Sequence, residues 1–162
     1  MTQLSGGVAI IKVGGFTETE KKDRKLRLED AVNATKAALE EGIVPGGGTT
    51  FIHISEHLMN WATSNLMQEE LIGALIVKQA LLAPLQRIAK NAGQNAIFVL
   101  ERVQKASVEV GYDVIRNRLD NMFDYGIVDP VRVSRLSLKN AVSIAGMILT
   151  TECVICKSNL GK

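Results

Sequence analysis

Residues 17–48 read TETEKKDRKLRLEDAVNATKAALEEGIVPGGG, and their punctuation sets the architecture. Thr17 followed three residues later by Glu20 has the form of a capping box, in which a hydroxyl and a carboxylate satisfy the first free amides of a helix. The helix so opened runs to Gly42, a residue that ends helices readily, with Pro45 just beyond. Along it Leu28, Val32, Thr35 and Leu39 share one face at the 3.6-residue period. Asp30 lies about 200° round from Leu28, with the small residues Ala34 and Ala37 nearby. A carboxylate on a smooth, alanine-lined stripe is able to approach a second surface closely. The triplet Gly46-Gly47-Gly48 then breaks the chain before a second helix.

Working outward, the apolar run GVAIIKV at 7–13 is β-rich and bounded by glycines, which predicts a strand. On the other side the second helix is expected to reach about residue 62, with a polar loop at 63–65. Helical patterns follow at 68–83, 84–91 and 96–105, then an extended piece at 108–112 and an irregular stretch to 125. Asp129-Pro130 predicts a helix start, with Asp129 as N-cap and proline at the first helical position. That helix is expected to reach about residue 151. Its face of Ser134, Leu138, Ala141, Val142, Ala145 and Leu149 is small and apolar, as suits a tightly packed central helix. Residues 152–157 read as a short strand. The expected fold is mostly α, with short strands at each end and no internal repeat.

Composition narrows the functional classes. The chain has 162 residues, 46% hydrophobic and 22% charged, which fits a globular domain and not a disordered tail. Aromatics are only 4%, too few for the stacking platforms of a single-stranded nucleic-acid binder. Nineteen basic residues are interspersed with 17 acidic ones for a net charge of +2, so no phosphate-tracking patch is expected. The apolar runs, broken by charges, fall short of the ~20 residues of a membrane span. The start MTQLSGG lacks the pattern of a signal peptide. Cys153 and Cys156 form a lone C-x-x-C, which cannot close a tetrahedral zinc site. In a strand these two point to opposite faces, so a structural role in a reducing compartment is expected. His53 and His57 stand four apart on one helix, yet no third metal ligand suggests itself.

Taken together, KLRLEDAVNATKAALEEGIVPGGG at 25–48, GYD at 111–113, GIVDP at 126–130 and SIAGMILTTE at 143–152 resemble the C-terminal part of a group I chaperonin subunit of the GroEL type. The resemblance spans nearly the whole chain in register. GIVPGGG and NAVSIAGMILTT are similar to the plastid and cyanobacterial branch, whereas AKNAG and EVGYD also suit the mitochondrial branch. It implies a returning limb of the intermediate domain at 1–40 and the C-terminal half of the helical equatorial domain at 41–162. The family's phosphate loop, magnesium-ligand aspartate and client-binding apical domain have no counterpart in these residues. A fragment or truncated product is therefore expected, without ATPase activity on its own.

The resemblance also implies roles. Asp30 matches the family's catalytic aspartate, which positions and polarises the water attacking ATP beside magnesium. Gly46, Gly47 and Gly48 match nucleotide-contacting glycines, although such a triplet would equally serve as an interdomain hinge. Asp129 matches a ribose-binding residue, with Ile127 against the adenine. Asp113 stands at a polar contact position that some relatives fill with Asn. Val114 and Ile115 depart from the less-branched residues common there and are expected to narrow the pocket. ATP and Mg²⁺ are the implied cofactors. Implied partners are sister subunits in a seven-membered ring, a lid co-chaperonin and unfolded proteins, with no nucleic acid and no membrane. The implied location is the plastid stroma, with the mitochondrial matrix or bacterial cytoplasm as alternatives. The competing expectation is a non-catalytic assembly module that docks on other chaperonin subunits.

Overall fold

A computed structural model describes residues 9–156. Helix α1 spans Glu18–Glu41. The Thr17 hydroxyl accepts the Glu20 N–H at 3.1 Å, and the Glu20 carboxylate accepts the Phe16 N–H at 2.7 Å. Gly42 ends the helix at φ 84°, as expected of its position. Pairs Lys21–Glu18, Arg24–Glu20, Lys25–Glu29 and Arg27–Asp23 support the exposed first half. The packed side is not the face of Leu28, Val32, Thr35 and Leu39, since Leu39 is 83% exposed. The half-buried positions of the C-terminal half are Ala34, Ala37 and Ala38, so the alanine stripe makes the close approach.

Strand β1, Ile43–Pro45, pairs antiparallel with β4, Val128–Pro130, in the register Ile43↔Pro130, Val44↔Asp129, Pro45↔Val128. Between them come α2 (Thr49–Asn65), α3 (Gln68–Asn91), α4 (Ala96–Gln104) and a hairpin of β2 (Val110–Asp113) with β3 (Arg118–Asn121). Helix α5 spans Val131–Leu149 and packs on α1 and β4. The core is Ile52 of α2, Leu85 and Ala89 of α3, Ala96, Val99, Leu100 and Val103 of α4, and Tyr112 of β2.

Several expectations are corrected. The break expected before Pro84 does not occur: α3 runs through the proline, because Leu81, Leu85 and Ala89 bury one continuous face on both sides of it. That packing outweighs the lost N–H. The loop expected at 63–65 is helical, and α2 ends instead at Leu66. By length and composition α3 is also apolar enough to cross a bilayer. Here it packs between α2 and α4 in the core. The strand expected at 7–13 is absent over its described part, 9–13, and 152–156 likewise form no strand. A strand requires a ladder partner, which neither segment has among the described residues. The remaining positions, 7–8 and 157, lie outside the described residues. Cys153 and Cys156 are free and exposed.

Asp129 is not an N-cap. It sits in the β1–β4 ladder, the N-cap is Pro130, and no side chain caps α5. The extended backbone needed to pair Pro130 with Ile43 starts the helix one residue later. Nor is α5 a packed central helix: it has no buried residue, and Val142, Met147, Ile148 and Leu149 are exposed. A cleft of about 500 Å³ separates it from α2, lined by Val44, Phe51, Ile54, Leu138 and Val142 among others.

Where β2 crosses the start of α2, a Cβ on Gly111 would overlap Thr49 Oγ1 and Met122 Cε. Thr49 and Met122 are both fully buried, so neither has room to yield. Gly111→Ala is expected to destabilise the fold by about 1–3 kcal/mol through overpacking. Thermal unfolding of the variant checks this, and an unchanged midpoint would refute the close packing.

Candidate functional site

The glycine triplet is held in place by packing on two sides. Gly46 N–H donates to the Ile127 carbonyl at 2.9 Å, and a Cβ on Gly46 would lie 3.0 Å from that same oxygen. A Cβ on Gly48, whose φ is 81°, would lie 3.0 Å from the Leu85 amide nitrogen. Side chains at 46 or 48 would therefore push β4 or α3 away. This turn is braced, whereas at Gly42 no atom stands within 4 Å of an added Cβ, so the freer joint is there. Helix α2 begins at Thr49 with no side-chain cap, and the Thr49 N–H donates to the Gly46 carbonyl at 3.1 Å.

Ile127 and Asp129 lie along the other side of the turn. A Cβ on Gly47 would come 3.9 Å from Ile127 Cγ2 and 4.0 Å from the Tyr112 carbonyl, which brings the end of β2 and Asp113 to the same region. Asp129, opposite Val44, is half-buried. Its carboxylate receives no hydrogen bond and no ion pair among the described residues, and burial pushes its pKa above the ordinary aspartate range.

Asp113 is the opposite case. Its Oδ1 accepts the N–H groups of Ile115 at 2.8 Å and Arg116 at 3.1 Å, and its Oδ2 accepts Arg116 Nη1 at 2.6 Å. The hydrogen bonds from the Arg116 side chain and then its amide hold its pKa low against the effect of burial. Val114 and Ile115 project from the same turn into solvent. Sequence reasoning passed over Arg116; the signal available was a turn aspartate with an arginine three residues on.

Ile127 and Asp129 thus lie beside the glycine turn, and the end of β2 reaches Gly47 at Tyr112, one residue before Asp113 and two before Val114. Asp30 does not join them. It is exposed near the middle of α1, roughly 18 Å along the axis from Gly42 at 1.5 Å per residue. The last turn of α1 is tied to α5 by ion pairs Glu40–Arg132 and Glu41–Arg135. Of the two histidines, His53 is buried and His57 exposed. Among the described residues no cluster of three metal-ligating side chains occurs. The donors and acceptors present fit a polyhydroxylated, anionic ligand carrying an apolar ring, and do not by themselves form a metal site.

The chain is 59% identical over 155 residues to a chloroplastic chaperonin GroEL of Trieres chinensis, an alignment covering 96% of this chain and 29% of that protein. It therefore spans about 29% of that relative's length. Among solved structures it resembles an open-state monomer of a group II chaperonin from Methanococcoides burtonii, with a TM-score of 0.70 at 24% identity, over 85% of this chain and 35% of that one. At that identity the likeness concerns the fold. The model of the TCP-1/cpn60 chaperonin family matches residues 1–159, and the chain belongs to that family, on its GroEL-type side.

Proposed function

We propose that this chain is the part of an ATP-driven folding chaperone that holds the sugar and base of the nucleotide and carries the hydrolytic aspartate. The observation that carries this reading is Asp129: a half-buried carboxylate without a donor among the described residues, two ladder positions from a braced glycine turn. Vicinal sugar hydroxyls supply the donors it lacks. The glycine backbone admits a close ligand, and the uncapped start of α2 favours an anion. Ile127, Val114 and Ile115 offer apolar contact to the base. The magnesium that accompanies ATP in this family neutralises phosphate charge; its ligands are not among the described residues.

In this reading residues 1–40 form a movable limb and 41–162 the nucleotide-binding body, with Gly42 as pivot. Asp30 acts as general base after α1 swings, the Glu40–Arg132 and Glu41–Arg135 pairs exchanging as it does. The heptameric ring, lid co-chaperonin and unfolded clients follow from the family resemblance, and the plastid location by analogy with the chloroplastic relative. A second reading, a non-catalytic assembly module, is favoured by the unburied apolar side of α5. Calorimetric ATP binding to the full-length subunit separates the two.

In that subunit Asp30→Ala is expected to leave ATP affinity nearly unchanged and to slow single-turnover hydrolysis by roughly 10²–10⁴-fold. Equal loss of binding and rate would remove its role as base.

Asp129 makes a further prediction with a definite sign. Its folded-state pKa lies above the unfolded one, so the folded protein binds the extra proton in the window between them. Stability therefore declines as pH rises through that window and stays lower above it. Asp129→Asn is expected to raise the thermal midpoint at neutral pH while weakening ATP binding by roughly tenfold or more, as for a lost hydrogen bond to a charged group. Differential scanning and calorimetry check both, and a lowered midpoint would contradict the unpartnered carboxylate.

A further inference from the structure

The loop between β2 and β3 is braced from several directions. Asp113 caps it and pairs with Arg116, as described above. The Arg116 guanidinium lies over the Tyr125 ring, 4.1 Å from its centroid, a cation–π contact. The Tyr125 hydroxyl accepts from Arg118 Nη2 at 3.2 Å, and Arg118 Nε donates to Asp120 at 2.7 Å. Across the loop the Tyr112 hydroxyl donates to Asn117 Oδ1 at 2.7 Å, and Asn117 holds a left-handed φ of 53°. Four residues are thus fixed in one conformation. Out of it stand two branched apolar side chains, Val114 at 40% and Ile115 at 93% exposure, while Asp113 is 1% exposed.

This arrangement separates two tasks. A carboxylate that is buried and bonded on both oxygens does not face a ligand, so it is not free to read the polar edge of a base. The loop instead presents an apolar ledge, beginning two residues beyond the Tyr112 carbonyl that faces Gly47, whose natural complement is the flat face of a ring. Resting on the nucleotide reading above, we propose that Arg116 is a positioning residue for the base. By pairing with Asp113 and stacking on Tyr125 it holds residues 114–117 so that Val114 and Ile115 receive the base by shape and apolar contact, without a hydrogen bond from the Asp113 side chain.

The test compares two probes, ATP and ribose 5′-triphosphate, which lacks the base, by calorimetry on the full-length subunit. For Arg116→Ala, ATP binding is expected to weaken roughly threefold to tenfold, the range of one apolar or stacking contact, with ribose triphosphate unaffected. Arg116→Lys, which keeps the pairing charge, is expected to recover part of the loss. A purely structural role would weaken both probes alike, and that result, or an unchanged ratio, overturns the proposal. Should Arg116→Ala fail to fold, Ile115→Ser serves instead, since an exposed side chain carries little of the fold. The same selective loss supports the ledge, and an unchanged ratio overturns it. Absence of saturable binding of either probe to the wild type removes the nucleotide reading, and this inference with it.

Discussion

Everything that gathers at the site depends on the short antiparallel pairing of β1 with β4. It joins Ile43 to Pro130 and Pro45 to Val128, with the Gly46 amide continuing the ladder onto Ile127 and the Val131 amide onto Gly42. Two strands of three residues are marginal alone. They persist because the α2–α3–α4 core stands behind them and because the glycine turn presses on Leu85 at one side and Ile127 at the other. Once that pairing exists, the ends of α1 and α5, the start of α2 and the carboxylate of Asp129 have no freedom to be elsewhere.

What was legible in the sequence was what local chemistry decides. The hydroxyl at Thr17, the carboxylate at Glu20 and the glycine at Gly42 mark both ends of α1 without reference to the rest of the chain. Apart from the loop expected at 63–65, the misreadings involve partners distant in sequence. Asp129-Pro130 has the composition of a helix start, and a strand more than eighty residues earlier shifts that start by one residue. Pro84 is a helix breaker by propensity, overruled by a core that α2 and α4 complete. The apolar runs at 9–13 and 152–156 carry strand propensity and no ladder. Strand β3 escaped notice because RLDN is polar and charged, and only its pairing with β2 makes it a strand.

The site was legible through resemblance more than through pattern. Without it, Asp30 reads as one more solvated acid on a charged helix, and Gly46–Gly48 as a hinge. The resemblance assigned Asp129 to the ribose and Asp113 to a polar contact, but did not tell apart the states of the two carboxylates. Their surroundings do: one is bonded on both oxygens and held ionised, the other is left without a donor and its charge disfavoured. A fold that satisfies one carboxylate completely and leaves another half-buried without a donor gives up stability at the second position.

The same contrast appears in stiffness. The glycine turn and the β2–β3 loop are over-determined, each held by contacts that a single displacement would break. Helix α1 is stiff along its length, through its capping and its i,i+4 pairs, but is tied down only near its C-terminal end. That tie consists of a glycine with open space around it, a stripe of alanines and two exposed ion pairs. Exposed ion pairs contribute little net stability and exchange partners readily, and alanines form a smooth surface without interlocking side chains. A rigid rod on a weak, smooth joint moves as one body, and its far half sweeps the largest arc. Asp30, near the middle of that rod, stands well away from the tie, while the residues round the glycine turn are held by packing on two sides.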